Sequence, residues 1–328
     1  MATYKNLRKV LNLPTLSESP SSGVNGEMYF NTTDSALHIY DGVWKKVTQS
    51  DFPGPDWTVA AQQAKLVASD AQASDEFGNS IAISGDTVVV GAYIEDTGAT
   101  SAGAAYVFTR SGTTWSQQAK IQGSTTVIYD NFGMSVAIDS NTIIVGSTGK
   151  DTGASSAGAA YIFTRSGTTW SQQALLTASD PQSNDQFGYS VSISSDTVVV
   201  GANNEDTGGT DAGAAYVFTR SGTSWSQQAK IVAANAGEND NFGISVDIDG
   251  DNVIVGAIKE DTKAADGGAV YVFTRSGTTW SQQKLLTASD VPAYKRFGHA
   301  VAIDGKTAVG TSEKVDSGAG AAYAFLAG

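Results

Sequence analysis

Residues 240–257, DNFGISVDIDGDNVIVGA, contain two strand-like segments that flank an acidic turn. Residues 243–249 alternate apolar and polar side chains, as a half-buried strand does, and residues 252–257 form a nearly continuous apolar run, which indicates a buried strand. The turn between them, DIDGDN, has the Asp-x-Asp-x-Asp spacing with which a calcium-binding loop begins. The rest of the chain decides between a metal site and a strand turn, because it contains this segment five times.

The pair Phe-Gly recurs at a constant spacing of 55 residues. Each copy predicts four strands, which the second copy shows as GMSVAID, NTIIVGS, GAAYIFTR and WSQQALLTAS. Four antiparallel strands per repeat, with a period of about 50 residues, are the sequence signature of a β-propeller. The sequence therefore predicts an all-β fold, a five-bladed β-propeller of 55-residue four-stranded repeats. The five copies place their Phe-Gly pairs at Phe77, Phe132, Phe187, Phe242 and Phe297.

The repeats assign residues 54–328 to the propeller and leave residues 1–53 as a small N-terminal β-hairpin or meander module for anchoring or docking. The last copy has no WSQQ segment after its third strand, whereas residues 57–67 resemble such a segment and precede the first Phe-Gly. We expect residues 57–67 to complete the final blade, which would cover an open sheet edge. The sequence leaves open whether five blades close the ring or residues 27–47 contribute to a sixth.

Phe-Gly opening one strand and Gly-Ala closing the next, as at Gly91-Ala92 and Gly256-Ala257, resemble the FG-GAP repeat family, whose broad class includes integrin α-subunit heads. The resemblance covers residues 57–328, is closest to the bacterial and viral branch with SGTTWSQQ linkers, and implies a propeller used for binding. In the integrin-type pattern a calcium loop lies between the FG strand and the GA strand. Here the other copies have AISGDT, AIDSNT, SISSDT and AIDGKT at the place of DIDGDN. Because the glycine after the third acid and a closing Glu are both missing, we interpret the three aspartates as strand and turn residues and predict no metal site.

Composition and charge exclude several function classes. The net charge is −13, and residues 1–53 hold equal numbers of basic and acidic residues, so the acidic body disfavours nucleic-acid binding. No apolar run is long enough for membrane insertion, and the first residues do not form a signal peptide. The chain has no cysteine and two separate histidines, so we predict no catalytic residues, no cofactor and no enzyme. A propeller glycoside hydrolase is the less favoured alternative, because carboxylate pairs are abundant.

The loops that join the fourth strand to the next blade, and the second strand to the third, are longer and more varied than the other turns. In an up-and-down blade these two sets of loops lie on one face, and variable loops on a rigid scaffold usually carry binding. We call this side the variable-loop face. The repeated aspartates there are interpreted as turn caps rather than a ring of cation ligands, and the repeated tryptophans as packing between blades rather than sugar platforms. The predicted binding residues are Tyr93, Glu95, Asp96, Ile128, Tyr129, Asp130, Asp185, Glu205, Asp206, Glu238, Asp240, Tyr294, Lys295 and Arg296.

Residues 26–47, GEMYFNTTDSALHIYDGVWKKV, predict three short strands with turns at TTDS and DG. The segment is similar to a module of tailed-bacteriophage fibre and appendage proteins. The resemblance implies a virion structural protein, assembled in the host cytoplasm, whose residues 1–53 bind other virion subunits and whose propeller serves host-surface adhesion, through a glycan or protein, or particle decoration. The alternative is a free or cell-surface bacterial FG-GAP adhesin, and homo-oligomerisation, capsid or tail location and ligand identity stay open. The predicted anchoring residues are Tyr29, Phe30, Tyr40 and Trp44.

Overall fold

The computed structural model describes residues 62–328 except Thr97, residues 291–292 and residues 314–319, together with the backbone of four strands within residues 15–46. The chain divides into two compact units, Met1–Gln62 and Gln63–Gly328. All regular secondary structure of the described residues is β-strand. No helix of that part is long and apolar enough to cross a membrane.

The first unit contains one four-stranded sheet, in the order β1-β2-β3-β4. Its strands are β1 (Thr15–Leu16), β2 (Met28–Asn31), β3 (Ala36–Tyr40) and β4 (Trp44–Lys46). Strands β2 to β4 pair antiparallel, which confirms the three predicted strands, and β1 adds to β2 in parallel. The side chains of the predicted anchoring residues, Tyr29, Phe30, Tyr40 and Trp44, lie outside the described part of the structure.

The second unit consists of five sheets, or blades, in which each strand pairs antiparallel with the next strand in the chain. This is the predicted order of FG, GA, AAYVF and WSQQ segments. Within the described residues, the first four blades have four strands and the fifth has three. The strands are β5 (Ser80–Ser84), β6 (Thr87–Ala92), β7 (Ala104–Ser111) and β8 (Thr114–Ile121); β9 (Phe132–Asp139), β10 (Thr142–Ser147), β11 (Ala159–Ser166) and β12 (Thr169–Leu176); β13 (Ser190–Ser194), β14 (Thr197–Ala202), β15 (Ala214–Ser221) and β16 (Ser224–Ile231); β17 (Phe242–Asp249), β18 (Asn252–Ala257), β19 (Ala269–Ser276) and β20 (Thr279–Leu286); and β21 (Val301–Asp304), β22 (Thr307–Ser312) and β23 (Ala321–Leu326).

The segment that was expected to complete the final blade does not do so in the described residues. Residues 62–67 form no strand, and β23 is the edge of a three-stranded sheet. Residues 63–69 do contact the first blade, where Trp115 Nε1 donates to Gln63 Oε1 over 3.0 Å and the Ser69 amide donates to Gln117 Oε1 over 2.9 Å. The same two bonds join the fourth strand of the first blade, and the loop after it, to the second blade. The expectation is therefore wrong for residues 62–67, and residues 57–61 lie outside the described part.

The hydrophobic core is divided among the spaces between successive blades. Between the second and third blades, Ile162 and Leu176 pack against Phe187, and all three are almost fully buried. The Phe187 ring makes edge contacts with Tyr216 and Phe218, with ring centroids 5.3 Å and 6.0 Å apart. The phenylalanine of the Phe-Gly motif is thus a core residue, and it fixes one blade against the next.

The glycines of the FG and GA motifs let two backbones meet between blades. Gly133 has a φ of 97°, and a Cβ placed on Gly91 of the preceding blade would overlap the carbonyl oxygen of Gly133. Next to this contact, Ser80 Oγ donates to the same carbonyl oxygen over 2.9 Å. The motif therefore encodes a close, hydrogen-bonded approach that any larger residue at Gly91 would block.

Candidate binding face

The aspartates of DIDGDN, residues 247–252, do not converge on a common point. Asp247 accepts hydrogen bonds from Ser192 Oγ and the Ile303 amide, each over 2.8 Å. Asp249 accepts a backbone amide of the last blade over 2.7 Å, and Asp251 forms an ion pair with an arginine of its own blade over 2.7 Å. The three carboxylates therefore serve contacts within and between blades, and no group of three acidic, His or Cys residues suited to a metal is found in the described residues.

On the side of the short turns, the repeated tryptophans pack between blades. Arg220 pairs with Asp196 over 2.6 Å and lies over the Trp225 ring at 5.2 Å. Trp225 Nε1 also donates to Gln173 Oε1 of the preceding blade over 2.8 Å. The indole is therefore engaged on its face and its edge, which agrees with the packing interpretation rather than with a sugar platform.

The variable-loop face is built from pairs of loops that belong to neighbouring blades. The loop that enters the second blade runs alongside the second-to-third-strand loop of the first blade, where the Tyr129 amide donates to Thr100 O over 2.9 Å and the Phe132 amide to Ala102 O over 3.0 Å. The same ladder recurs between later blades, as in the bond of the Asn239 amide to Thr210 O over 2.7 Å. Backbone hydrogen bonds therefore hold these loops in place without any ligand.

Aspartates cap the turns within each loop. Asp96 accepts the Ser101 amide over 2.6 Å, and Asp130 accepts the Val127 amide over 2.7 Å. Equivalent bonds recur in the other described loops, which confirms the interpretation of these aspartates as turn caps. Asp316, the equivalent of Asp96 in the fifth copy, lies outside the described residues.

A buried polar network supports the loops from below. In the first blade, Tyr106 Oη donates to Asp70 over 2.8 Å, and Lys120 Nζ binds Asp70 over 2.7 Å and Glu95 over 2.8 Å. Burial lowers the pKa of Lys120, but its bonds with the two carboxylates outweigh that effect and raise the pKa. The third blade repeats the arrangement with Lys230, so the ammonium group compensates the buried glutamate in both blades.

The aspartate that precedes each Phe-Gly has a different partner in different blades. Asp130 pairs with Lys150 over 3.1 Å, whereas the neighbouring charges that act on Asp185 and Asp240 are those of Glu205 and Glu260. Burial, together with these neighbouring carboxylates, raises the pKa of Asp185 and of Asp240 to about 6. In the third blade Asp185 Oδ1, and in the fourth blade Glu260 Oε2, is buried without a hydrogen-bond partner.

The structure separates the predicted binding residues into a buried and an accessible set. A first group is at most 5% exposed, so these side chains hold the loops and do not reach a ligand; this corrects the sequence prediction for Glu95, Asp130, Asp185, Glu205 and Asp240. The burial of these carboxylates depends on partners from other strands, which no local pattern reveals. The remaining candidates are exposed or half-buried: Tyr93, Asp96, Ile128, Tyr129, Asp206, Glu238, Tyr294, Lys295 and Arg296.

Two exposed tyrosines on this face occupy a backbone conformation that bulky residues rarely adopt. Tyr129 and Tyr294 are 60% and 64% exposed and have φ values of 63° and 64°. The equivalent positions in the third and fourth blades hold Asn184 and Asn239, a residue type that tolerates the left-handed region. Beside Tyr129, Val127 is also exposed, and the apolar triplet VIY in the loop sequence is the signal that could have identified it.

An FG-GAP repeat model matches the chain five times, at residues 60–108, 115–163, 170–218, 225–273 and 280–325. The chain belongs to the FG-GAP repeat family. The second to fifth matches each begin in the fourth strand of one blade and end in the third strand of the next, so these family units span two sheets. The first match begins before the first blade and ends in its third strand. The five FG-GAP units and the five repeated sheets together make this a five-bladed, propeller-like fold. No curated protein matches the chain.

Proposed function

We propose that this FG-GAP protein is a non-enzymatic binding module that recognises a glycan or protein on a surface through its variable-loop face. The observation that carries the proposal is the presence of Tyr129 and Tyr294, two exposed aromatic side chains, at left-handed positions. Unfavourable backbone conformations persist where the surroundings enforce them, and they cluster at binding sites. Neither ring is needed for the core, so recognition is the role that fits both.

The arrangement of the loops favours recognition with little ordering cost. A tyrosine offers a large contact area with few rotatable bonds, and its ring stacks on sugar rings or on other aromatic groups. Because backbone hydrogen bonds already fix the loop of Tyr129 against the neighbouring loop, binding does not have to order it. Val127 and Ile128, which are about half exposed, extend the apolar contact on the same loop.

The state of the carboxylates supports a non-catalytic role. Paired carboxylates are the groups with which most glycoside hydrolases cleave their substrates. On this face, Glu95 and Glu205 are buried and bonded to Lys120 and Lys230, and Asp185 is 1% exposed. These groups stabilise the loops and offer no accessible acid and base pair to a sugar.

At a finer level, we propose that the module is displayed on the virion of a tailed phage and that residues 1–53 anchor it there. The support is the resemblance of residues 26–47 to phage fibre and appendage modules, together with the strands β2 to β4 that this segment forms. A four-stranded sheet of this size gains stability by packing against another surface, and a virion subunit would provide one.

Binding through the loop face is tested with the full chain, fluorescently labelled, on candidate host cells and on a glycan array. We expect Tyr129→Ala and Tyr294→Ala each to weaken binding about tenfold or more, as truncated aromatic anchors do. Thr113→Ala, an exposed change in the turn on the side of the short connections, is the matched control and is expected to bind like the wild type. Unchanged binding by the double tyrosine variant would refute the assignment of the face.

Display on a virion is tested by immunogold labelling of purified particles with an antibody raised against residues 54–328. Label at the tail would indicate an adsorption protein, and label over the head would indicate a decoration protein. Unlabelled particles, with the protein free or on cells, would refute the virion proposal and would leave the binding module intact.

A further inference from the structure

The five copies of the repeat are the same at many positions, including exposed ones. The turn after the third strand has exposed Ser111 and Thr113 in the first copy, and the same two residues recur in the next three copies. Only two positions of the repeat hold a different residue in all five copies. The first follows the Phe-Gly pair and holds Asn79, Met134, Tyr189, Ile244 and His299; the second follows the second strand and holds Tyr93, Thr148, Asn203, Ile258 and Glu313.

These two positions are neighbours in space, at the edge where the blades converge. The first strands of successive blades pack on one another, whereas the fourth strands scarcely touch. Within the fifth blade, His299 Nε2 lies 3.7 Å from Glu313 Oε2. Between the first two blades, Asn79 Nδ2 donates to Met134 O over 3.2 Å. We call the ten residues at the two positions the inner mouth, because they lie at the end of the inner strands on the variable-loop face.

The accessible side chains of the inner mouth are mainly apolar on the middle blades and charged on the last. Met134, Tyr189 and Ile244 are half-buried, so each still offers surface to a ligand. The second position is buried in these three blades, so the surface there is formed by the first. In the fifth blade the side chains of His299 and Glu313 are 50% and 40% exposed. Otherwise similar blades thus present a surface that differs from blade to blade, which suits one asymmetric partner.

Tyr93 places the first blade on the same surface. Burial raises the pKa of Tyr93, and the nearby Glu76 and Tyr189 raise it further. Tyr189 belongs to the third blade, so side chains of blades that do not follow one another lie close enough to interact. A ligand group of side-chain size can therefore touch several blades at once.

The loops around the inner mouth are acidic. At the three junctions between the first four blades, the paired loops hold eleven acidic residues and one basic residue. These loop pairs are residues 93–103 with 123–131, 148–158 with 178–186, and 203–213 with 233–241. The one basic residue, Lys150, is engaged with Asp130 over 3.1 Å, whereas Asp96, Asp206 and Glu238 are exposed. A partner of complementary charge is therefore basic.

We propose that the surface partner is a protein, which inserts an apolar side chain into the inner mouth and sets basic residues against the acidic loops. The inference rests on the proposed function and narrows its ligand from a glycan or protein to a protein. Tyrosine and methionine are enriched in protein–protein interfaces, and the residues that contribute most binding energy lie near the centre of the contact. Met134 and Tyr189 meet both conditions. The aliphatic surface of Met134 and Ile244 packs well on an apolar side chain and leaves sugar hydroxyls without hydrogen bonds.

The test uses the labelled full chain on candidate host cells that have been treated with a protease or with periodate, which cleaves the diols of sugars. We expect protease treatment to lower binding at least about tenfold and periodate to leave it within about twofold. Raising the salt concentration should weaken binding, because salt screens the attraction between basic and acidic residues.

Three variants exchange a residue for that of another copy, so each new side chain already fits its position in the fold. Tyr189→Asn and Met134→Asn introduce the residue of the first copy, and each is expected to weaken binding about tenfold. Glu238→Ser introduces the residue of the third copy and should reduce the response of binding to salt. Val67→Gln is the matched control, since Val67 is an exposed apolar residue outside the inner mouth and the second copy has Gln there. It should bind like the wild type.

Two results would overturn the proposal and leave the proposed function standing. The first is binding that survives protease or is lost after periodate, since the ligand would then be a glycan. The second is full binding by the Tyr189 and Met134 variants when Tyr129→Ala and Tyr294→Ala weaken binding, which would place the contact at the outer loops. Normal binding by all four of these variants, or no binding of the chain to any candidate cell, would refute the proposed function as well.

Discussion

Replacement of Asp185 by Asn should make the protein more stable at neutral and alkaline pH. Asp185 is 1% exposed, its Oδ1 has no hydrogen-bond partner, and burial with the nearby charge of Glu205 raises its pKa to about 6. The Asn side chain keeps an oxygen that can accept the backbone amide of Gln182, as Asp185 Oδ2 does over 2.8 Å, and it removes the charge. We expect a gain of about 1–3 kcal/mol in the free energy of unfolding at about pH 8.

The sign of the pH dependence follows from the raised pKa. The ordinary value for an aspartate is 3.8, so between about 4 and 6 the folded protein holds a proton at Asp185 that the unfolded chain has lost. Protonation therefore stabilises the folded state as the pH falls through 6, and this stability is lost as the pH rises. A folded pKa of about 6 gives roughly 1.4 kcal/mol of added stability at about pH 5 relative to about pH 8. Asp240, with the same raised pKa, should add a similar amount.

The assay is urea unfolding at a series of pH values, with the free energy taken from linear extrapolation. Asp130→Asn is the matched control, because Asp130 has the same position in the second blade but pairs with Lys150 over 3.1 Å. Its replacement leaves a largely buried ammonium group without its partner and should cost about 3 kcal/mol. An Asp185→Asn curve parallel to the wild type between about pH 5 and 8, or an equal gain from Asp130→Asn, would refute the reasoning.

Three further changes test the packing and the turns. Phe187→Ala removes a fully buried ring and should cost about 3–5 kcal/mol in urea unfolding. Phe77→Ala, at the half-buried equivalent in the first blade, should cost clearly less, and equal losses would contradict this argument from burial. Gly201→Ala should cost more than 1 kcal/mol because its Cβ would overlap the Gly243 carbonyl oxygen, and a neutral result in the same assay would refute that contact. Chelation with EDTA should leave the thermal midpoint unchanged, because the carboxylates of residues 247–252 bind protein groups, and a clear downward shift in calorimetry would show that a cation stabilises the turn.

The repeat predicted the blades because each strand carries its own signal. The alternating segment of β9 and the β-branched run of β10 recur with fixed spacing, so local pattern and period agree on the order of strands. Strand β1 has two residues, too few to show any period, and it was not foreseen. The third strand of the last blade contains AAYAF like the others, but the absence of a fourth strand from its sheet depends on where residues 62–67 pack, which is a tertiary choice.

The candidate site was less predictable than the fold, for a physical reason. Glu95 and Asp96 are adjacent acids in the sequence, yet Glu95 is fully buried and bonded to Lys120 while Asp96 caps an exposed turn. Lys120 lies on a strand 25 residues after Glu95, and its other partner, Asp70, lies on a loop 25 residues before Glu95. Charge in a sequence does not reveal which groups pair, so a row of loop acids resembles a ligand site until the partners are known.

The two faces of the array explain why some positions repeat strictly and others vary. On the side of the short turns, the Arg, Trp and Gln side chains join successive blades, so a change in one copy would disturb its neighbour. On the variable-loop face, the backbone hydrogen bonds between loops and the buried ion pairs of side chains hold each loop in place. The exposed position of Tyr129 can therefore vary, and its equivalents are Asn in two blades and Tyr in one other. Recognition can therefore change at Tyr129 and Tyr294 without altering the contacts that hold the blades together.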